Sequence, residues 1–571
     1  MTKKIECFLY TMLMFAATAS AQPVITDVVN AGSRITSGLP GYGVAQGAIF
    51  VVTGKGLGPD QLQQAAFPLP AADGLAGVTV QISVGGTTAN GIMVYVSGTE
   101  VAAILPSATP AGTGSVTVAY SGQSATAPIT VVAAAFGAFT LDQKGDGQAI
   151  AFNTAGDGST SPNSVTQPAV PLQTIALNGT GLGAIPSDET QSGVTDTPAS
   201  NVKVWVGSQQ ATVVSAGRGA CCDGLPSGFP IPQGVAGWDV IRFTVPAGVS
   251  GCHVPVAVQT GDFISNFASI AVSAGGSGCT EPGGFSAGDL QNLSATVRIG
   301  SVQLSRSSFA ISQQGTTVES KSDSGSASFF KYDLSGFQAA ASPFNVSAIG
   351  SCFVYTFKTR SGDVPSLNVP ATALNAGDVI NVKGPNGSKQ MKRDATTGSY
   401  SGDFGTSVAL PSIPGLPPGL PGIPGAAAPF LEAGAYSSDN GSGAADVGAF
   451  VATLTIPQPL TWTNRDQIAS VTRSQGVNVK WSGGDQSGIV NIVGTSSTKV
   501  GDATVTGTFL CTERASAGQF TVPPVVTASL PAGTAGTLGV QSRTTNRFTA
   551  PGIDIGQISS AVASMKNLAY Q

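Results

Sequence analysis

A chain of 571 residues is too long for one hydrophobic core and points to roughly three to five domains. Charged residues make up 10% of it, against about 25% in an average soluble protein, and it holds 75 glycines and 36 prolines. A net charge of -5 gives no electrostatic footprint for nucleic acid or an anionic membrane, so neither is expected as a partner. With 42% hydrophobic residues and clear strand patterns, the composition reads as β-structure turned by glycine and proline, not as disorder.

Residues 1–21 read as a targeting segment. Lys3 and Lys4 supply the positive end, Phe8 to Ala17 the apolar run, and Ala19-Ser20-Ala21 the cleavage pattern. Cleavage is expected after Ala21, with no cysteine there for a lipid anchor. No later run approaches the ~18 apolar residues that a spanning helix needs. The expected product is secreted, extracellular or periplasmic, with no transmembrane segment.

Residues 22–133 carry short strands between turns, among them Ala48 to Thr53, Val78 to Val84, Val101 to Leu105 and Thr126 to Val132. Val78, Val80, Ile82 and Val84 share one face and Thr79, Gln81 and Ser83 the other, a period of two with one dry and one wet side. Such strands with turn signals every ten or so residues are the pattern of a β-sandwich. Residues 134–275 repeat the plan, with an insertion from Gly217 to Gln233. Pro255 inside a strand predicts an edge position there, since proline cannot donate to a ladder.

The repeat is most visible at one turn. Gly54-Lys55-Gly56-Leu57-Gly58 follows one strand, and Gly179-Thr180-Gly181-Leu182-Gly183 follows its counterpart. No Gly-Lys-Ser/Thr and no βαβ unit accompanies either copy, so a phosphate loop does not fit, and glycines permitting positive φ do. Lys55 and Thr180 differ at the same position, which argues against a shared side-chain function.

Strand, G-x-G-L-G, alternating strand and a closing proline-glycine turn resemble the IPT/TIG class of immunoglobulin-like domains. Residues 22–275 are more narrowly similar to a family of secreted acidobacterial proteins of the Solibacter type with tandem domains of this kind. Gly54 to Pro59, Gly147 to Ala149, Gly179 to Gly183 and Pro246 to Gly251 carry the likeness. It implies fold and export more than activity, and it covers under half the chain.

Residues 276–288 read as a linker. Residues 289–456 form a β-rich region with a Pro/Gly-rich, polyproline-like loop at 411–429. Residues 457–571 form another, in which Ile553 to Tyr570 is the best helix candidate and would cap the chain.

Six cysteines remain beyond the targeting segment: Cys221, Cys222, Cys252, Cys279, Cys352 and Cys511. An even number in an oxidising compartment favours disulfides, with 15 connectivities open. Cys352 with Cys511, and Cys221 or Cys222 with Cys252, are the expected pairs, and Cys279 would tie back the linker. Cys221, Cys222, Cys252 and His253 are also zinc ligands by type. His253 is the only histidine, so any Ser-His-Asp or Cys-His catalysis must use it.

Asp142, Asp146 and Asp157 are candidates to touch calcium, though the full loop pattern with a distant bidentate Glu is missing. Asp439, Asp446 and Asp485 occupy similar glycine-rich turns, and Trp462 and Trp481 are either core or a stacking surface for sugar rings. No catalytic or cofactor-binding residue is assigned. The chain therefore reads as all-β: tandem immunoglobulin-like sandwiches followed by one or two further β-sandwich domains. The expected role is non-catalytic, in adhesion or in binding extracellular polysaccharide or protein. A carbohydrate-active enzyme or accessory protein with its site in 289–571, or a structural assembly component, are the alternatives.

Overall fold

The computed structural model describes residues 22–219, 228–276, 278–291, 293, 295–313, 316–339, 347–360, 371–409 and 429–571. The targeting segment, Cys221, Cys222 and all of the 411–429 loop except Pro429 lie outside the described residues.

The first strands are Val24–Asn30 (β1), Val44–Ala45 (β2), Ile49–Lys55 (β3), Gln63–Gln64 (β4) and Val78–Val84 (β5). Thr87–Asn90 (β6), Ile92–Val96 (β7), Glu100–Ile104 (β8), Gly112–Tyr120 (β9) and Gln123–Val132 (β10) follow. They form two five-stranded sheets, β1-β3-β8-β7-β4 and β2-β10-β9-β5-β6, with β2 parallel to β10. The order within each sheet is that of an immunoglobulin-like sandwich. Phe50, Val52, Val80, Ile82, Met93, Val116 and Val118 fill the space between the sheets.

The first sheet is apolar on its other side as well. Ile49, Val51, Val94, Ala102 and Ile104 point away from Phe50 and Val52 and pack on Phe139, Ile150, Phe152, Ala176, Trp238 and Val240 of the second repeat. This is why β3, β7 and β8 read as unbroken apolar runs and not as alternating ones: a strand buried on both faces has no wet side.

The second repeat contains Gly137–Ala138 (β11), Ala151–Thr154 (β12), Thr160–Pro162 (β13), Thr174–Thr180 (β14) and Val202–Val206 (β15). Gln209–Arg218 (β16), Asp239–Thr244 (β17), Gly251–Thr260 (β18), Phe263–Ile264 (β19) and Ala268–Val272 (β20) complete it. β16 pairs with both β17 and β15, so one ladder folds over to close the sandwich. Leu177, Ile241, Phe243, Val204, Val256 and Val258 lie inside. The two repeats thus make four layers of strands with three apolar cores between them.

Pro255 is not on an edge strand. β18 pairs with β15 on one side and with β19 and β20 on the other. The β15 ladder ends at Val206↔Val256, the residue just after the proline, so the missing N–H of Pro255 falls where β15 turns away.

After the 276–288 connector a second architecture begins. Ser351–Arg360, Ala503–Arg514, Ile489–Val500, Gly533–Phe548, Ile555–Tyr570, Thr296–Gln313 and Thr316–Asp333 lie side by side in that order. The sheet continues through Tyr400–Ala409, Gly387–Arg393, Val379–Gly384, Gly434–Asp439 and Val451–Ile456, and so crosses the division expected at 456/457. A small sheet of Leu460–Trp462, Val477–Gly483 and Gln519–Val522 closes one core with Ile492, Phe509 and Val540. A second core holds Leu304, Phe329, Phe404, Leu454 and Phe548, where Asn546 donates to the Thr453 carbonyl at 2.9 Å.

The expected terminal helix is a strand. Ile555–Tyr570 pairs in parallel with Thr296–Gln313 and antiparallel with Gly533–Phe548, and it buries Ile555, Ile558, Leu568 and Tyr570. Bonding on both edges outweighs the few tenths of a kcal/mol per residue that separate helix propensities. Among the described residues, α-helix is confined to Leu334–Ala339 and Pro524–Ala528.

Trp238 lies in the core shared by the two repeats, 4.9 Å from the Phe139 ring. Trp238→Ala is expected to lower stability by about 3–5 kcal/mol and to expose the chain between β10 and β11 to limited proteolysis. Denaturant titration with peptide mapping of the cuts checks both. Loss of stability without cutting there would mean that the repeats stay joined without this core.

Candidate functional site

The twin turns serve different ends. In the first copy Lys55 is exposed at a corner and only Leu57 and Gly58 are buried. In the second copy all five residues are buried, with Leu182 inside its own sandwich. Gly181 has φ +111°, and a Cβ there would sit 2.2 Å from the Ala135 carbonyl, so only glycine fits. Thr180 Oγ1 accepts from the Ile49 N–H at 2.8 Å and donates to the Gly237 carbonyl at 2.7 Å. Asn30 Nδ2 donates to the Ala135 and Thr180 carbonyls. Arg218 pairs with Asp239, both side chains fully buried, and donates to the Gly47 and Gly183 carbonyls. This is a joint and not a ligand site. The sequence hinted at it only through the Lys55/Thr180 difference.

The structure redistributes the cysteines. Cys352 is bonded to Cys511 directly across two paired strands. Cys252 is bonded to Cys279, not to Cys221 or Cys222, because β18 runs beside the connector that Cys279 opens. A disulfide sulfur is not a thiolate, which removes Cys252 from the zinc set. His253 is buried, with Nδ1 2.8 Å from Glu281 Oε1, so the pair joins β18 to the connector next to the bridge.

Asp142 and Asp146 are brought together and Asp157 is not. Asp142 Oδ1 accepts from Thr140 Oγ1 at 2.6 Å and from the Lys144 N–H at 3.0 Å. Burial, and then the charge of Asp142, push the Asp146 carboxyl from 3.8 up to about 6. Asp146 borders a cavity of about 60 Å³ where Ser33 and Arg34 of the first sandwich, Asn266 of the second and Thr356 of the C-terminal unit meet. Asp157 stands exposed in the β12–β13 turn, where the Ser159 N–H and hydroxyl hold its carboxyl below the ordinary range. No group of three or more potential metal ligands occurs among the described residues. Asp439 accepts from Asn381 across a strand pair and from the Gly441 N–H, Asp446 from the remote Asn375 N–H, and Asp485 from Ser487 within its turn.

Trp462 and Trp481 face each other across paired strands inside the core and offer no surface to a sugar. Their indole N–H groups donate to Asn464 Oδ1 and to the Ala515 carbonyl. A groove of about 480 Å³ on the C-terminal unit is lined by residues including Lys383, Ser437, Thr453, Thr455 and Asn546, with no carboxylate among its lining residues. It holds no acid–base pair of the kind glycoside hydrolysis uses.

One sheet face of the first sandwich is polar. In the outer layer of the four, Asn90, Gln81, Thr117 and Thr126 form one row across β6, β5, β9 and β10. Thr88, Ser83, Ser115 and Pro128 form the next. These side chains are exposed or half-buried, and none is charged. Ser83 and Thr88 hydroxyls lie 3.0 Å apart, and those of Thr117 and Thr126 2.9 Å. At the other end of the stack, Ala257 and Phe267 pack into the core of the C-terminal unit and Ala271 packs on Phe285 and Leu290. Of the two outermost faces of the stack, the first is therefore the open one.

No family model matches the chain, and no curated protein matches it. Solved structures that it is similar to include a protein of unknown function from Bacteroides thetaiotaomicron, at 10% identity over 69% of this chain and 71% of that chain, with a TM-score of 0.14. The titin Ig tandem domains A164-A165 match at 8% identity over 40% of this chain and 90% of that chain, with a TM-score of 0.12. The Sidekick-1 immunoglobulin domains 1-4 match at 10% over 96% and 99%, with a TM-score of 0.11. Scores this low carry no argument, and the immunoglobulin-like assignment stands on the strand order described above.

Non-reducing peptide mapping is expected to recover Cys252–Cys279 and Cys352–Cys511, and a Cys221–Cys252 or Cys222–Cys252 peptide would contradict the placement of the connector. Asp146 binds its proton more tightly folded than unfolded, so its contribution is full below about pH 4 and is lost as pH rises through about 6. Asp146→Asn is therefore expected to be more stable than the parent at pH 7.5, by on the order of 2 kcal/mol, with the gap closing toward pH 4. Melting curves across that range check it, and a gap independent of pH would contradict it.

Proposed function

We propose that the protein is a non-catalytic, exported modular protein that recognises an extracellular polysaccharide or protein. Its sandwiches at 22–133 and 134–275 are of the IPT/TIG type found in the secreted acidobacterial family that the sequence resembles. The observation that carries the reading is the four-layer stack, which fixes one sandwich rigidly on the next and leaves a broad polar sheet face open at its end. A rigid element presenting an exposed face suits recognition better than chemistry. Two buried disulfides fit an oxidising compartment. No helix among the described residues is long and apolar enough to cross a membrane.

The test uses the mature chain, residues 22–571, purified from an oxidising compartment. Retention on extracellular polysaccharides or matrix proteins, with no release of reducing sugar or peptide, is the expected result. Turnover that disappears on replacing a carboxylate pair within 289–571 would replace this reading with an enzymatic one.

A further inference from the structure

We infer that the open sheet face of the first sandwich binds neutral polysaccharide chains, a step that rests on the recognition reading above. The chemistry of the face selects the partner. A carboxylate, sulfate or ammonium group laid on it would give up hydration and find no opposite charge, which penalises charged partners. The face also lacks aromatic, methionine and arginine side chains, which dominate the centres of protein–protein interfaces.

What the face offers is hydroxyl and amide groups. Each Ser or Thr hydroxyl both donates and accepts, as a sugar hydroxyl does, so either orientation of a chain can be matched. Threonine is stiff about χ1, and Thr117 and Thr126 are already paired across their strands, so little side-chain freedom is lost on contact. Strands about 4.8 Å apart, with same-face residues about 6.8 Å apart along each, set these groups out as a lattice.

Without a ring to stack on, each sugar contact is weak. The face is therefore suited to a polymer that occupies many positions at once and not to a short oligosaccharide. Binding to a neutral chain is also insensitive to salt, because no ion pair is screened.

The experiment measures retention of the mature chain by an insoluble neutral glucan and by an insoluble polyuronate, at low and high salt. Thr117→Val with Thr126→Val keeps shape and removes two hydroxyls, and Ser83→Ala with Thr88→Ala is a second pair, each checked for an unchanged melting temperature. The parent is expected to bind the glucan at both salt concentrations, and either pair to weaken it about tenfold. Equal retention by polyuronate, or undiminished glucan binding by both folded variants, overturns this inference and leaves the recognition reading standing. Self-association that the same variants abolish would make a second copy of the chain the occupant and would also overturn it. Failure of the parent to bind any polysaccharide or protein removes the recognition reading itself.

Discussion

The constraint on which the N-terminal half depends is a sheet with no wet side. β1, β3, β8 and β7 give alternate residues to two different cores, one inside their own sandwich and one shared with the next. Burying a Val, Ile or Phe side chain is worth about 1.5–3 kcal/mol, and the shared core contains many, so separating the repeats would expose an interior rather than a contact patch. The tandem is therefore a stack and not a string. The buried hydrogen bonds of Thr180, Asn30 and Arg218 follow from that: a turn forced into an interior must have its polar groups satisfied there. One motif used twice has become a corner in one place and a joint in the other.

The C-terminal unit depends on a different closure. Its first long strand and its last lie side by side in parallel, from Ile299↔Ile555 to Ala310↔Lys566. Nothing local can align such strands, because all the intervening chain must be placed before the two meet. The Cys352–Cys511 bond spans a comparably remote pair on two neighbouring strands of the same sheet. Strands from both sides of residue 456 interleave in that sheet.

What the sequence disclosed follows from this contrast. The alternation Val78-Thr79-Val80-Gln81-Ile82-Ser83 identified a strand, its buried side and its wet side, and the wet side became the candidate surface. The twin glycine turns located the repeats, because positive φ is a local demand that residue type reveals. Partners set by tertiary packing were legible only in part: Cys352 with Cys511 is the expected pair, and Cys252 with Cys279 is not. The sequence points Cys252 toward Cys221 or Cys222, whereas the connector returns Cys279 to it in space. Ile555, Ile558, Val562 and Met565 are spaced as on one face of a helix, and only the two neighbouring strands make that segment extended. Pro255 signalled an edge, but where a ladder ends is decided by the neighbouring strand's length, which Pro255 does not encode.

The low charge of the chain and the neutrality of the open face are linked through where the ions are placed. Arg218–Asp239 lies in the joint between repeats. Lys358–Asp27 ties the C-terminal unit to the first sandwich, and Arg547–Asp289 ties Gly533–Phe548 to the short turn Ala287–Leu290 at the end of the connector. Arg306 holds Asp323 through two bonds of 2.7 and 2.8 Å across a strand pair. A buried pair loses much of its Coulomb gain to desolvation, yet removing one partner strands the other, so such pairs fix geometry more than they add stability. These pairs order the chain's own layers. The outermost layer, with no further layer to order, carries hydroxyls instead, and whatever it meets must be recognised by hydrogen bonds that water competes for at every position.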